Sequence, residues 1–229
     1  HDRKRAMQEM AVNVMKEFGW TGDADSAPSG IVFTNFVKSK TIGILDIRRI
    51  MSEVIDVPMD IYSGRSPYFP SDEKAWNREK MEAQERFKRD ESKMMICTHS
   101  FGMGIDKPNI RYTFNIMLPR SLEEFYQQAG RAGRDRRNSK CLLLFADENS
   151  RLSESIMATE ELDFGSFKEK VDKEAGAIGK QEDAVRNTYF LVNTFKGERE
   201  EMEAIEFFVI RYLNLSHDSH STEWGFYDV

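Results

Sequence analysis

The chain is 229 residues long, 40% hydrophobic and 11% aromatic, enough for one α/β domain with an appended element, which excludes global disorder. Its net charge of −6 does not advertise nucleic-acid binding, and no apolar run approaches the roughly 18–20 residues that cross a bilayer. Two cysteines without a Cys-x-x-Cys pair exclude a four-cysteine zinc site.

The N-terminus, HDRKRAMQEM, is charged and has no apolar signal region, so a soluble intracellular protein without a membrane partner is expected, cytoplasmic (bacterial nucleoid) or nuclear. Residues 3–18 read as an amphipathic helix with Met7, Met10, Ala11, Val14 and Met15 on one face. A polar stretch, 21–30, reads as a linker. Strand and helix then alternate. IVFTN (31–35) is a short β run, 42–55 a helix and MDIY (59–62) a strand, followed by a loop with Pro67 and Pro70. Residues 72–90 read as a solvated, highly charged helix, in which Lys80 and Arg86 are the cations nearest to a phosphate role. MMICT (94–98), YTFNIM (112–117) and CLLLFA (141–146) are further strands, with a helix at 121–131 before the last. Cys97 and Cys141 lie in these apolar runs and are expected to be buried, without a disulfide.

Short apolar strands alternating with helices predict a parallel sheet covered on both faces. After residue 150 the strands stop, and 151–175 and 181–213 read as helices. The expected division is 1–28 leading helix and linker, 29–150 α/β domain and 151–229 acidic helical segment. Residues 151–229 hold 9 Lys/Arg against 17 Asp/Glu, a net of −8, whereas 1–150 hold 24 against 22, a net of +2. Within the latter, Arg131, Arg134, Arg136, Arg137 and Lys140 stand against Asp135 alone. The average therefore hides a basic patch beside an acidic tail. His217, Asp218 and His220 read as part of a tail, and no metal site is assigned.

Ligands of open parallel sheets bind at the carboxyl ends of strands. Thr98 closes MMICT, and the loop HSFGMGID at that end has Gly102 and Gly104 for close backbone approach and Asp106 to accept from ribose hydroxyls. Ser121 and Glu124 form a Ser-x-x-Glu capping box. The helix it starts is packed by Leu122, Phe125, Tyr126 and Ala129. Gln127, Arg131 and Arg134 follow at i, i+4 and i+7, one face if the helix continues that far. Gly130 and Gly133 remove bulk beside the arginines, whose planar charged forks suit phosphate oxygens.

THSFGMGIDKPNIR resembles motif V and EEFYQQAGRAGRD resembles motif VI of superfamily 2 helicases, of the RecQ family above all; GIVFTNFVKS (30–39) resembles motif IV more loosely. The resemblance implies a three-layer RecA-like fold, similar to the P-loop NTPases, with an appended helical segment. It implies the second motor domain of an ATP-dependent DNA helicase that unwinds 3′→5′. Arg134 would be the arginine finger, Arg131 its partner on the γ-phosphate and Gln127 the coupling residue. Gly102, Gly104, Asp106, Gly130 and Gly133 would line the nucleotide side. Thr98, Thr34 and Asn35 would touch the nucleic-acid backbone. The implied cofactors are ATP and Mg2+; the implied partners are DNA (a single strand or strand junction) and a first RecA-like domain.

The chain departs from the family pattern in places. No G-x-x-x-x-G-K-[ST] loop and no Asp-Glu-x-His box occur in it, so it is expected to be a C-terminal piece of a larger protein, inactive alone. The family's Tyr-His-Ala-Gly-Leu segment appears only as YSGRSP (62–67), and the zinc subdomain lacks its cysteines. The competing readings are an RNA helicase or non-unwinding translocase domain, and an inactive module that recruits partners.

Overall fold

The computed structural model describes residues 2–144 apart from 71, 102–104, 118 and 120. The elements are α1 (Asp2–Glu17), β1 (Ser29–Phe33), α2 (Ile44–Ser52), β2 (Met59–Tyr62), α3 (Glu73–Lys88), β3 (Met94–Cys97), β4 (Ile110–Asn115), α4 (Leu122–Ala129) and β5 (Lys140–Leu143). The expected helices beyond residue 150, the 151–229 segment and the last two residues of the run 141–146 lie outside the described residues.

All five strands are parallel, in the order β2-β3-β1-β4-β5. β1 and β3 are buried along their whole length, whereas β2 and β5, at the two edges of the described sheet, are partly open. Central strands of a doubly covered sheet need apolar side chains on both faces, hence the unbroken runs GIVF and MMIC. Val32, Met94, Ile96, Tyr112 and Phe114 face a core closed by α1 and α2. Met7, Ala11, Val14 and Met15 of α1 are buried in it, so the leading helix is part of the domain body. Ile31, Phe33, Met95 and Cys97 face the other way, against Ala83 and Phe87 of α3 with Phe101 and Ile105. The architecture is therefore three-layer and RecA-like, as expected.

Several boundaries move, each for a local reason. β1 starts at Ser29 because Gly30 leaves room for the Tyr112 ring; a Cβ there would lie 1.9 Å from the ring. It ends at Phe33 because the Thr34 hydroxyl donates to the Ile42 carbonyl (2.7 Å) and turns the chain. Cys97 is buried as expected, but Cys141 is exposed, because β5 flanks the described sheet. α3 buries only Trp76, Ala83 and Phe87, and its Arg86 clasps the Asp60 carboxylate of β2 (2.6 and 3.1 Å). Arg86 is thereby committed to the fold.

Candidate functional site

The carboxyl edge of the sheet gathers the first group of expected residues. Thr34 and Thr98 follow the neighbouring ends Phe33 and Cys97, and the Thr34 N–H donates to the Cys97 carbonyl (2.9 Å). The Thr98 N–H donates to the Tyr62 carbonyl (3.2 Å), and its hydroxyl shares a 2.9 Å bond with that of Ser100. Both threonines are buried, and Asn35 is half-buried beside them in sequence. Thr34 has spent its hydroxyl proton on Ile42, so it shapes the loop rather than offering a donor outward.

The second group sits elsewhere. Because β3 and β4 run parallel, the segment 98–109 must travel from the carboxyl end of one to the amino end of the other. Asp106 lies late in that crossover, away from the carboxyl edge where the sequence suggested it. Gly102 and Gly104 lie outside the described residues.

Ser121 caps α4 by accepting from the Glu124 N–H (3.0 Å), as the capping box predicts. The helix ends at Ala129, however, and Gly130 is its C-cap. Gly133 has φ +70°, and a Cβ there would lie 2.6 Å from Ser139 Oγ. The helix has already ended where this glycine turns the chain, so Gln127, Arg131 and Arg134 do not share a helical face. Gln128 is buried and Tyr126 is 79% exposed, the reverse of the expected packing for Tyr126. The inward stripe of the helix is Phe125, Gln128 and Ala129, spaced i, i+3 and i+4, which turns Tyr126 and Gln127 outward. Gln127 is exposed and donates to Glu123 (3.0 Å).

The turn after α4 carries the arginines onto the α3 side of the sheet, where Ala132 packs against the core. Arg134 Nη1 donates to the Ile105 carbonyl (2.9 Å) and lies 3.7 Å from the Asp106 carboxylate. Asp106 is 90% exposed at its side chain, so it holds Arg134 loosely in water. Burial first, and then the neighbouring Arg134 charge, pull the half-buried Arg131 guanidinium below its ordinary pKa. The Arg134 charge thus disfavours the charged form of Arg131, and a phosphate oxygen would offset that.

Two polar locks position this turn, and the sequence reading missed both. Arg111, at the start of β4, donates to the Asn109, Pro108 and Asn138 carbonyls (3.2, 3.3 and 3.1 Å) and pairs with Asp135, the residue after Arg134. The Gly133 N–H adds a backbone bond to the Ile110 carbonyl (3.0 Å). Further back, Lys107 is buried with its ammonium 2.5 Å from Asp90 and 5.2 Å from the Phe87 ring centroid. Burial pushes the Asp90 carboxyl up, but bonds from Lys107, Ser29 and Asn109 outweigh it and hold it below its usual range. Burial pulls Lys107 down, and Asp90 offsets part of that. The signal for the first lock was present, since Arg111 and Asp135 close the two motif-like segments. Nothing in the local sequence marks Lys107 as buried. Among the described residues no cluster of three His, Cys, Asp or Glu could hold a metal ion. No described helix is long and apolar enough to cross a membrane.

Residues 13–136, more than half of the chain, match the family model of the helicase conserved C-terminal domain. The chain is 52% identical over 68 residues to the ATP-dependent DNA helicase RecQ of Bacillus subtilis, covering 30% of this chain and 12% of that protein. It is 43% identical over 77 residues to the probable ATP-dependent DNA helicase RecS of the same organism, covering 34% and 16%. Against the ATP-dependent helicase SGS1 of Saccharomyces cerevisiae it is 38% identical over 79 residues, covering 34% and 6%. The matches thus span less than a fifth of each relative's length. Among solved structures, domain 2 of the DEAD-box helicase Mss116p bound to an RNA duplex aligns at TM-score 0.47 and 17% identity, covering 76% of this chain and 72% of that one.

Proposed function

The chain belongs to the helicase conserved C-terminal domain family, and from that premise we propose that it is the second RecA-like motor domain of an ATP-dependent, RecQ-like DNA helicase. Residues 29–150 would form the motor domain together with α1, whose apolar face is packed into its core, and 151–229 would be an acidic helical extension. The observation that carries the proposal is the pair Arg131 and Arg134 on a turn held by Gly133 and by the Arg111–Asp135 lock. A donor that must meet developing charge works best when its position is set beforehand.

In this reading Arg134 is the finger and Arg131 its partner on the γ-phosphate of ATP. Asp106, with Gly102 and Gly104, lines the nucleotide side; Gly130 keeps that side open, and Gly133 makes the turn that brings the arginines to it. Gln127, on the outward face of α4, couples the nucleotide to the facing domain. Bound ATP with Mg2+ supplies the phosphoryl group to be transferred, and a first RecA-like domain of the full-length protein holds most of it. Arg134 exchanges its bonds to Ile105 and Asp106 for the nucleotide, and that exchange is the local event by which the domain senses ATP. The carboxyl edge, with Thr98, Ser100 and Asn35, follows a DNA strand, while Thr34 shapes the loop.

The test is nucleic-acid-stimulated ATP hydrolysis by the full-length protein, wild type beside Arg134→Ala, with matched DNA and RNA strands. Stimulation by DNA that falls by about 10³-fold in the variant is expected for a lost finger. Turnover with RNA alone would make this an RNA motor. No turnover with either strand would make it a recruiting module.

A further inference from the structure

Three loops leave the carboxyl edge together: 34–43 after β1, 63–70 after β2 and 98–101 after β3. They carry Lys38, Lys40, Arg65 and His99, and no Asp or Glu. Lys38, Lys40 and Arg65 are exposed and have no carboxylate partner among the described residues. The acidic residues that begin α3 are already engaged. Asp72 caps the helix, Glu73 accepts from the Ser66 N–H (3.4 Å) and Glu79 from the Tyr68 hydroxyl (3.1 Å).

The 63–70 loop is held from beneath. Trp76 Nε1 donates to the Ser63 carbonyl (3.1 Å), the Ser63 hydroxyl donates to the Arg65 carbonyl (2.5 Å), and the Tyr68 ring meets Trp76 edge-on at 5.9 Å. Lys38 ties the loop to its neighbour by donating to the Tyr68 carbonyl (3.1 Å). On this anchored loop Phe69 is 93% exposed, with the Lys38 ammonium 5.9 Å from its ring centroid. A large ring left in water contributes little to folding. A positioned ring among exposed cations is the arrangement that holds single strands, because every base offers a π-face and every linkage a phosphate.

We infer that Phe69 is a stacking platform for a base of single-stranded DNA bound along the carboxyl edge, with Lys38, Lys40 and Arg65 meeting the adjoining phosphates. The inference rests on the reading of that edge as a nucleic-acid track, and adds a contact the family motifs do not supply.

The experiment titrates a labelled twelve-residue oligodeoxythymidylate with the 229-residue chain at low salt, following anisotropy, beside an abasic strand of equal length. Phe69→Ala is expected to weaken thymidylate binding about tenfold and leave abasic binding unchanged, whereas Phe69→Trp retains it. Because Phe69 is exposed, the variants are expected to melt with the wild type. Independently, a strand with 5-iododeoxyuridine is expected to photo-cross-link wild-type protein at Phe69. Equal thymidylate affinity for wild type and Phe69→Ala, with loss on Lys38→Ala or Arg65→Ala, would overturn the stacking inference alone. No binding of wild type to either strand would overturn both it and the track.

Discussion

Lys107 is an ammonium group taken out of water, with its side chain 1% exposed, and it persists because Asp90 and the Phe87 ring face it. Asp90 sits at φ 61°, a conformation that Asp and Asn tolerate better than most residues. Asp90→Asn therefore keeps the backbone and most of the shape while removing the charge. It is expected to destabilise the fold by about 2 kcal/mol, because the buried Lys107 loses its partner; the cost is below that of a fully buried pair because the Asp90 side chain is 40% exposed. Adding Lys107→Met is expected to recover most of that in denaturant titrations. The pH dependence follows from the lowered Asp90 pKa. The stabilisation is fully present above the ordinary carboxyl value of 3.8 and is lost as pH falls through the lower folded value. The gap between wild type and Asp90→Asn should close in melts taken below that range. Gly133 makes the complementary point: its positive φ, rather than any charge, decides where the arginines beside it go.

Among the elements, β1 is the middle strand of the described sheet, with two strands on either side of it. Its Gly30 is the least replaceable residue there, lying under a fully buried Tyr112 ring. Gly30→Ala is expected to cost about 3 kcal/mol by overpacking, and a second change, Tyr112→Val, to recover part of it, as thermal unfolding would show. Equal stability of Gly30→Ala and wild type would contradict this account of the sheet. α4 illustrates how far periodicity can be read. The capping signal at Ser121 placed its start correctly, whereas its end at Ala129, and the turn at Gly133 that follows, are not foreseen by a spacing argument.

At the scale of the molecule, charge is segregated along the sheet axis. The segments 34–43, 63–70 and 98–101 at the carboxyl edge carry no Asp or Glu, whereas the opposite end mixes Asp90, Glu91, Asp106 and Asp135 with four arginines, Arg131, Arg134, Arg136 and Arg137. A net charge of −6 hides this arrangement. Binding of DNA strands by the 229-residue chain is expected to be weak and to fall steeply with added salt, because few phosphates are neutralised on one domain. The same preparation is expected not to hydrolyse ATP, since these residues include no phosphate-binding loop. Robust turnover, or affinity indifferent to salt, would count against the motor-domain reading.

The sequence by itself determined the layered α/β class, the positions of the strands to within a few residues, and the family, through two motif-like segments at fixed spacing. These are local properties, carried by apolar runs, caps and short motifs, and a chain displays them in order. The tertiary structure alone decided that Arg131 and Arg134 leave the helix, that Asp106 sits away from the carboxyl edge, and that Arg111 and Lys107 are committed to carboxylates. It also decided that Phe69 stands in the open beside Lys38. Each of these depends on which distant segments the parallel crossovers bring together, and no local pattern of residues encodes that distance.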